Sequence, residues 1–432
     1  MVRNLLRLLA LLTLVAVFAA CDPPHGIVLW HAYQGEEREA LAAAAARWND
    51  VHPDTPIQLV GVPYSAFGDK LTSAIPGGNG PDLFIYPQDR IGDWADANII
   101  EPIEFWVDDA HAARFSDASL AALAYHGSLW GLPLAVKSLV MFYRTDIIST
   151  PPRTTDELLA LAPMMRAKGG YAVAYANSDL YGHAPWLFGF GGSVFDGDHL
   201  AIATPEAANA MKFAQDLVTT KAAPQGAEGP LVATLFNEGR AATVISGPWF
   251  TGDIATNLAG KWKVAELPIV SPTGLPATPF LGAEAILMSA RAHDKELAFA
   301  AMDALTSDIN AIDRAKRTHQ TVPNVAAYND PAIQSDELLQ AFGKQLAHTV
   351  PMSVSPAMRL VWTPYKTALS TVLNGAEPGP TLRNVEKEIN GYLIGSHVIV
   401  ADEPALRRVV PEPAPTPPQK APNTIAPAEK PE

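Results

Sequence analysis

The chain has 432 residues, 48% of them hydrophobic and 18% charged, which is enough apolar material for two or three domain cores at roughly 150 residues per domain. Its 31 Lys and Arg against 45 Asp and Glu leave a net charge of −14, a field that repels phosphate backbones and anionic lipid surfaces and argues against a general nucleic-acid binder. One cysteine excludes an intrachain disulfide framework and a cysteine-based structural zinc site, and 11 scattered histidines with no i, i+4 pair signal no metal centre.

The first twenty residues read as a targeting segment. Arg3 and Arg7 precede an apolar stretch from Leu8 to Ala20, too short to span a hydrocarbon core of ~30 Å as a helix. The alternative is a buried N-terminal helix, for which the charge pattern has no use. Gly26 to His31 is a nearly continuous apolar run and predicts a strand covered on both faces. Glu36 to Asn49 predicts a helix with Leu41, Ala44, Ala45 and Trp48 on one side, and acidic residues suit its positive N-terminus. A strand over Pro56–Val62, a helix over Tyr64–Ser73 and a strand over Asp82–Tyr86 continue the rhythm of parallel βαβ units.

Further helices are expected over Pro205–Lys221, Leu231–Asn237, Asp294–Thr306, Ser335–Ala347 and Met358–Asn374, and strands over Leu139–Tyr143, Ala241–Ile245 and Ala285–Met288. No internal repeat is visible, which removes solenoids and propellers. Pro411 to Glu432 holds eight prolines in 22 residues and is expected to be a disordered or polyproline-like tail.

Several motifs carry a resemblance. Phe18-Ala19-Ala20-Cys21 resembles the lipobox of bacterial lipoproteins, with Cys21 the lipidated residue, and Asp22 resembles the signal that retains such proteins at the inner membrane. WHAYQGEE from Trp30, GNGPD from Gly78, QDR from Gln88, WGLPLAVKSLVMFY from Trp130 and FNEGRAATVISGPW from Phe236 follow in order. Together they resemble the family 1 extracellular solute-binding proteins of ABC sugar importers, its maltose-binding members above all, from about Ile27 to Gly375.

The resemblance implies an α/β fold of the two-lobed, type II periplasmic-binding-protein kind, each lobe a sheet flanked by helices. It divides the chain into a signal peptide (1–20), a first N-lobe segment (21–134), a first C-lobe segment (135–278), an N-lobe return (279–328), final C-lobe helices (329–398) and a proline-rich tail (399–432). Crossovers are expected near Pro133, Pro279 and Asn324–Asp330. It further implies a sugar, of the maltose-like di- or oligosaccharide kind, trapped between the lobes by hinge closure and passed to the membrane subunits of an ABC permease. No cofactor or metal, no nucleic acid, a monomer, and a location on the periplasmic side of the inner membrane complete that expectation.

By the same resemblance, Asp89 and Arg90 bond sugar hydroxyls, while Tyr86, Trp249 and Trp362 offer flat faces to pyranose rings. Asp179 and Tyr181 line the same cleft, with Tyr33 and Gln34 contributed by the first loop. Each has a plain structural alternative: Tyr86 and Trp362 as core, Asp89 and Asp179 as helix or turn caps. Lys137 stands where maltose-binding members carry a sugar-facing Glu, and Arg144 where the family has Asn or Asp. A Lys137–Glu284 ion pair that still bonds a hydroxyl is one expectation, with a solvent-facing Lys137 or a negatively charged ligand as the others. An exported carbohydrate enzyme is the rival class, since aromatic platforms and paired carboxylates also build glycosidase clefts. A ligand sensor on the same fold is a third reading.

Overall fold

The computed structural model describes residues 26–197 and 199–396. The expected signal segment, Cys21 and the tail 399–432 lie outside the described residues. In chain order the strands of the two main sheets are β1 (Ile27–His31), β2 (Ile57–Gly61), β3 (Leu83–Pro87), β4 (Gly131–Lys137), β5 (Val140–Arg144), β6 (Tyr171–Ala174), β7 (Ala241–Ser246), β8 (Trp262–Ala265), β9 (Phe280–Met288) and β10 (Val350–Pro351). The helices of ten or more residues are α1 (Gly35–Val51), α2 (Tyr64–Ala74), α3 (Leu180–Gly189), α4 (Pro205–Thr219), α5 (Lys295–Leu305), α6 (Asp308–Thr318), α7 (Met358–Leu373) and α8 (Pro378–Ser396).

The first sheet places β1 in parallel between β2 and β3. β9 runs antiparallel to both β3 and β4, and β10 adds to its first two residues. The strands form where the chain is apolar without interruption: Leu29, Leu83, Phe84, Leu132 and Leu287 are all fully buried, as a sheet covered on both faces requires. Asp82 anchors the entry of β3, its carboxylate accepting from the Val28 and His293 amides at 2.9 Å. Ala40, Leu41, Ala44, Ala45 and Trp48 of α1 recur at helical spacing and are buried.

The second sheet has the order β8-β5-β7-β6, with β5 antiparallel to both neighbours and β7 parallel to β6. Helices α3, α4, α7 and α8 share one apolar cluster against this lobe. Thr204 caps α4 by accepting from the Ala207 amide, with Pro205 at the first helical position, where a missing N–H costs nothing.

β4 pairs with β9 along its length, so Pro133 and the boundary expected at 134/135 fall inside a strand of the first lobe. The chain reaches the second sheet at Val140, and only Ser138 and Leu139 lie between the two sheets. The return enters the first sheet at Phe280. β10, within the segment expected to hold only C-lobe helices, pairs with β9 of the first sheet. Arg144 has a structural role. Its guanidinium is buried, donates twice to Asp146 and once to the Phe236 carbonyl at 2.6 Å, and lies 5.8 Å from the Phe236 ring. Those bonds hold the Asp146 carboxyl below its usual range.

Candidate functional site between the lobes

In open α/β sheets the exposed backbone and loops beyond the carboxyl ends of parallel strands are where ligands sit. In the first sheet that edge holds the ends of β1 and β3, the start of β9, which runs the other way, and the last residue of β4. Thus Tyr33, Gln88, Asp89, Lys137 and Glu284 come to one edge. In the second sheet the same rule collects Ala176 after β6, Trp249 after β7 and Leu139 before β5. The two edges are joined by Ser138 and Leu139, the residues between β4 and β5.

On the second lobe a cavity of about 360 Å³ is lined by Asp179, Tyr181, Trp249 and Leu139, among others. Asp179 caps α3, its carboxylate accepting from the Tyr181 amide at 2.7 Å, so the residue both starts the helix and faces the cavity. Trp249 lies in a 3-10 turn and is 51% exposed, with its ring 6.3 Å from that of Tyr181. Tyr181 in turn stacks on Phe280 at 6.2 Å, and Phe280 meets Trp362 at 6.2 Å. Burial and the nearby Asp179 charge raise the Tyr181 hydroxyl far above its ordinary range, keeping it a neutral donor.

Gly247 explains why Trp249 lies as it does. A Cβ there would come within 2.1 Å of the indole, which folds back over this position. The backbone at Gly247 is extended, so alanine brings no strain and the ring alone must move. Gly247→Ala is therefore expected to weaken ligand affinity roughly tenfold, a loss of about 1.4 kcal/mol, without lowering the melting temperature. Calorimetry beside thermal unfolding checks this, and equal losses in both would mean that the glycine serves the fold.

A second cavity, about 270 Å³, spans the lobes, with Tyr64, Pro87 and Asp89 on one side and Met358, Arg359 and Trp362 on the other. Burial raises the Asp89 carboxyl and Arg90 opposes that rise. Arg90 forms an ion pair with Asp93 at 3.2 Å and lies 5.6 Å from the Trp94 ring. Asp93 also pairs with Arg359 of α7, an ion pair between the lobes. Trp362 is partly buried against the second-lobe core, yet borders this cavity.

Two residues expected to meet a ligand lie deeper. Tyr86 is 8% exposed, held edge-on by Phe67 and Trp94, and burial pushes its hydroxyl up to about 12. Tyr64 stacks on it at 5.7 Å and 14°, is 58% exposed and borders the cavity, so the accessible aromatic face here belongs to Tyr64. Tyr33 is also 8% exposed. Its ring lies 5.2 Å from the Arg314 guanidinium and its hydroxyl donates to Glu284 at 3.0 Å. Gln34 is exposed, and Gly35 directly after it, at φ 50°, takes the left-handed conformation from which α1 starts.

Lys137 and Glu284 are paired, Nζ to Oε1 at 3.1 Å, with side chains 42% and 14% exposed. Sequence reasoning missed Tyr64, Phe280, Arg359 and Gln88. Gln88 is 1% exposed, and its Oε1 accepts from the Ala283 amide at 2.7 Å, locking the Asp89 loop to β9. An aromatic residue opening a helix straight after Pro63 was the one local signal for Tyr64. The others depend on neighbours far along the chain. Among the described residues no group of three His, Cys, Asp or Glu could hold a metal ion, and no helix is long and apolar enough to cross a membrane.

Residues 34–312 match the family model described as bacterial extracellular solute-binding protein. A maltotriose-binding protein of Pyrococcus abyssi is 29% identical over 374 residues, covering 84% of this chain and 81% of its own. A galactooligosaccharide-binding protein of Bacillus subtilis is 27% identical, covering 88% of this chain and 94% of its own. Among solved structures, a cyclo/maltodextrin-binding protein complexed with maltotetraose superposes with a TM-score of 0.80 at 29% identity, covering 86% of this chain and 98% of that one. A Staphylococcus aureus extracellular solute-binding protein in complex with maltose reaches 0.79 at 22% identity, covering 87% and 100%, and shares the architecture. The architecture is that of the two-lobed, type II periplasmic-binding fold.

Proposed function

The chain belongs to the bacterial extracellular solute-binding protein family, and from that premise we propose that it is the substrate-binding component of an ABC importer for a maltose-like di- or oligosaccharide. The observation that carries this reading is the pair of facing half-sites, one with Tyr64 and Asp89, the other with Tyr181, Trp249 and Asp179. Flat, partly exposed rings beside carboxylates match the two faces of a pyranose: C–H groups stack on the rings while equatorial hydroxyls reach the acids. Trp362 completes the set at the seam.

Each half-site alone is shallow. Hinge bending about Ser138–Leu139 and the other two crossings brings them together, so the sugar stabilises the closed form by the contacts that only this form makes. The closed, loaded protein then differs in shape from the empty one, which is what a permease needs to tell them apart. The Cys21 lipobox supports tethering to the outer face of the inner membrane, where a chain of this kind meets its permease. The relatives' names describe binding proteins, which supports a carrier without catalysis.

Titration of the purified protein with maltose, maltotriose and maltotetraose, read by calorimetry and thermal unfolding, tests the proposal. A ligand at 100 times its Kd is expected to stabilise the native state by about 2.7 kcal/mol. No response to any of these or to other neutral oligosaccharides would overturn the sugar assignment.

A further inference from the structure

The first-lobe edge carries a connected polar group that the half-sites leave unexplained. Glu284 is held at both oxygens: Tyr33 donates to Oε2 at 3.0 Å and Lys137 donates to Oε1 at 3.1 Å. Its side chain is only 14% exposed, so its acceptor capacity is turned inward. Lys137 is the exposed member, and its ammonium has three N–H donors, of which Glu284 takes one. Lys137 is the last residue of β4, next to Ser138 and Leu139, and Leu139 lines the Trp249 cavity. Glu284 pairs in register with Pro87, which borders the Asp89 cavity. The two therefore lie at the edge between the half-sites.

Formal charges around this ammonium balance. Glu37 and Glu284 supply two negative charges and Lys137 and Arg314 two positive ones, with Gln320 bridging Glu37 and Arg314 through its side-chain amide. Burial and then the Glu284 charge raise the Glu37 carboxyl, which shows that these groups feel one another. A neutral hydroxyl can accept from Lys137 without disturbing the balance. A ligand carboxylate or phosphate there would gain Lys137 but meet Glu284 and Glu37 behind it in a partly desolvated site.

We infer that Lys137 is a direct hydrogen-bond donor to the bound ligand and that Glu284 is the positioning residue that balances its charge, so this cleft selects uncharged polyhydroxyl ligands over their acidic counterparts. Tyr33 fixes the rotamer of Glu284 from below. The inference rests on the oligosaccharide reading above and adds the residue pair that sets charge selectivity. A Coulomb term between unit charges about 6 Å apart in a partly screened site corresponds to roughly tenfold in affinity.

The test compares Kd values for maltotriose and for its aldonic- and uronic-acid forms, which carry one carboxylate at different ends. Wild type is expected to favour the neutral sugar over at least one acid form by tenfold or more. Glu284→Gln keeps an acceptor for Tyr33 but removes the charge, and is expected to narrow that ratio about tenfold by gaining affinity for the acid. Lys137→Met is expected to weaken neutral binding about tenfold without narrowing the ratio, and it keeps the question open to measurement if Glu284→Gln fails to fold. An unchanged ratio in Glu284→Gln, or unchanged maltotriose affinity in Lys137→Met, overturns the inference while wild-type maltotriose binding still upholds the oligosaccharide reading. Absence of maltotriose binding by wild type overturns both.

Discussion

Trp249→Ala is expected to lower affinity for the bound oligosaccharide about 100-fold while moving the melting temperature of the empty protein by no more than a degree or two. The two effects separate because the indole is 51% exposed before any ligand arrives. Truncating a half-exposed ring removes little of the core, whereas stacking on a sugar would bury its outer face. A loss of about 2.7 kcal/mol, the free-energy equivalent of 100-fold, is in the range of an aromatic residue that anchors a desolvated contact.

Closure should be affected with affinity. Trp249 belongs to the second lobe and Asp89 to the first, so their contacts with one ligand add only when the lobes meet. Losing one set lowers the closed fraction at a given sugar concentration. Calorimetry for affinity and small-angle scattering for closure check both halves of the expectation. Trp362→Ala supplies the contrast, because that ring packs against Phe280 and the second-lobe core and its removal should cost stability as well. A Trp249→Ala protein that binds within threefold of wild type would remove the ring from the site.

Residues 26–90 were the most readable of the described residues. Apolar runs and a period-3.6 stripe through Leu41, Ala44 and Trp48 are local signals, and each became the element expected. α3 was missed because Gly182, Pro185 and Gly189 break the pattern that propensity looks for. It persists because Asp179 caps it and because its buried face is packed by α4 and α7. α8 was hidden behind Pro378-Gly379-Pro380, although Leu382, Val385, Ile389 and Leu393 behind them have helical spacing and are buried.

Of the residues expected to meet a ligand, Asp89, Asp179, Tyr181, Trp249 and Trp362 border the two cavities. Burial of Tyr33 was not legible and that of Tyr86 was only one of two alternatives, since a tyrosine in a loop or at a strand end reads alike whether it faces in or out. Their depth is set by partners distant in sequence, such as Glu284 for Tyr33 at a separation of 251 residues. The Lys137–Glu284 pair was one of three expectations at a position that the family resemblance put in the cleft, where a lysine needs a counter-charge.

The chain should lose stability on acidification through one buried histidine, and His183→Met should remove that loss. His183 lies in α3, directly after the Tyr181 and Gly182 that line the second-lobe cavity. Its ring is fully buried, and neither nitrogen has a partner among the described residues; the nearby Tyr365 hydroxyl is likewise unpartnered. Burial lowers its pKa to about 3, whereas an unfolded histidine titrates near 6.5. Above pH 6.5 both states are neutral and the residue gives no pH dependence. Between 6.5 and 3 the unfolded chain binds the proton that the folded one refuses, so stability falls as pH falls, by up to about 1.4 kcal/mol per unit. Carboxylates add their own acid sensitivity, but equally in wild type and variant, so the difference between the two isolates His183. At neutral pH, replacing two unpaired ring nitrogens by a thioether of similar size should stabilise the protein by about 1 kcal/mol, since the desolvation cost disappears with them. Urea unfolding from pH 7.5 to 4 measures both effects. Stability curves that run parallel over this range would mean that the folded protein protonates His183 as readily as the unfolded chain, which requires water or a carboxylate to reach a ring that the packing of α3 against α7 encloses.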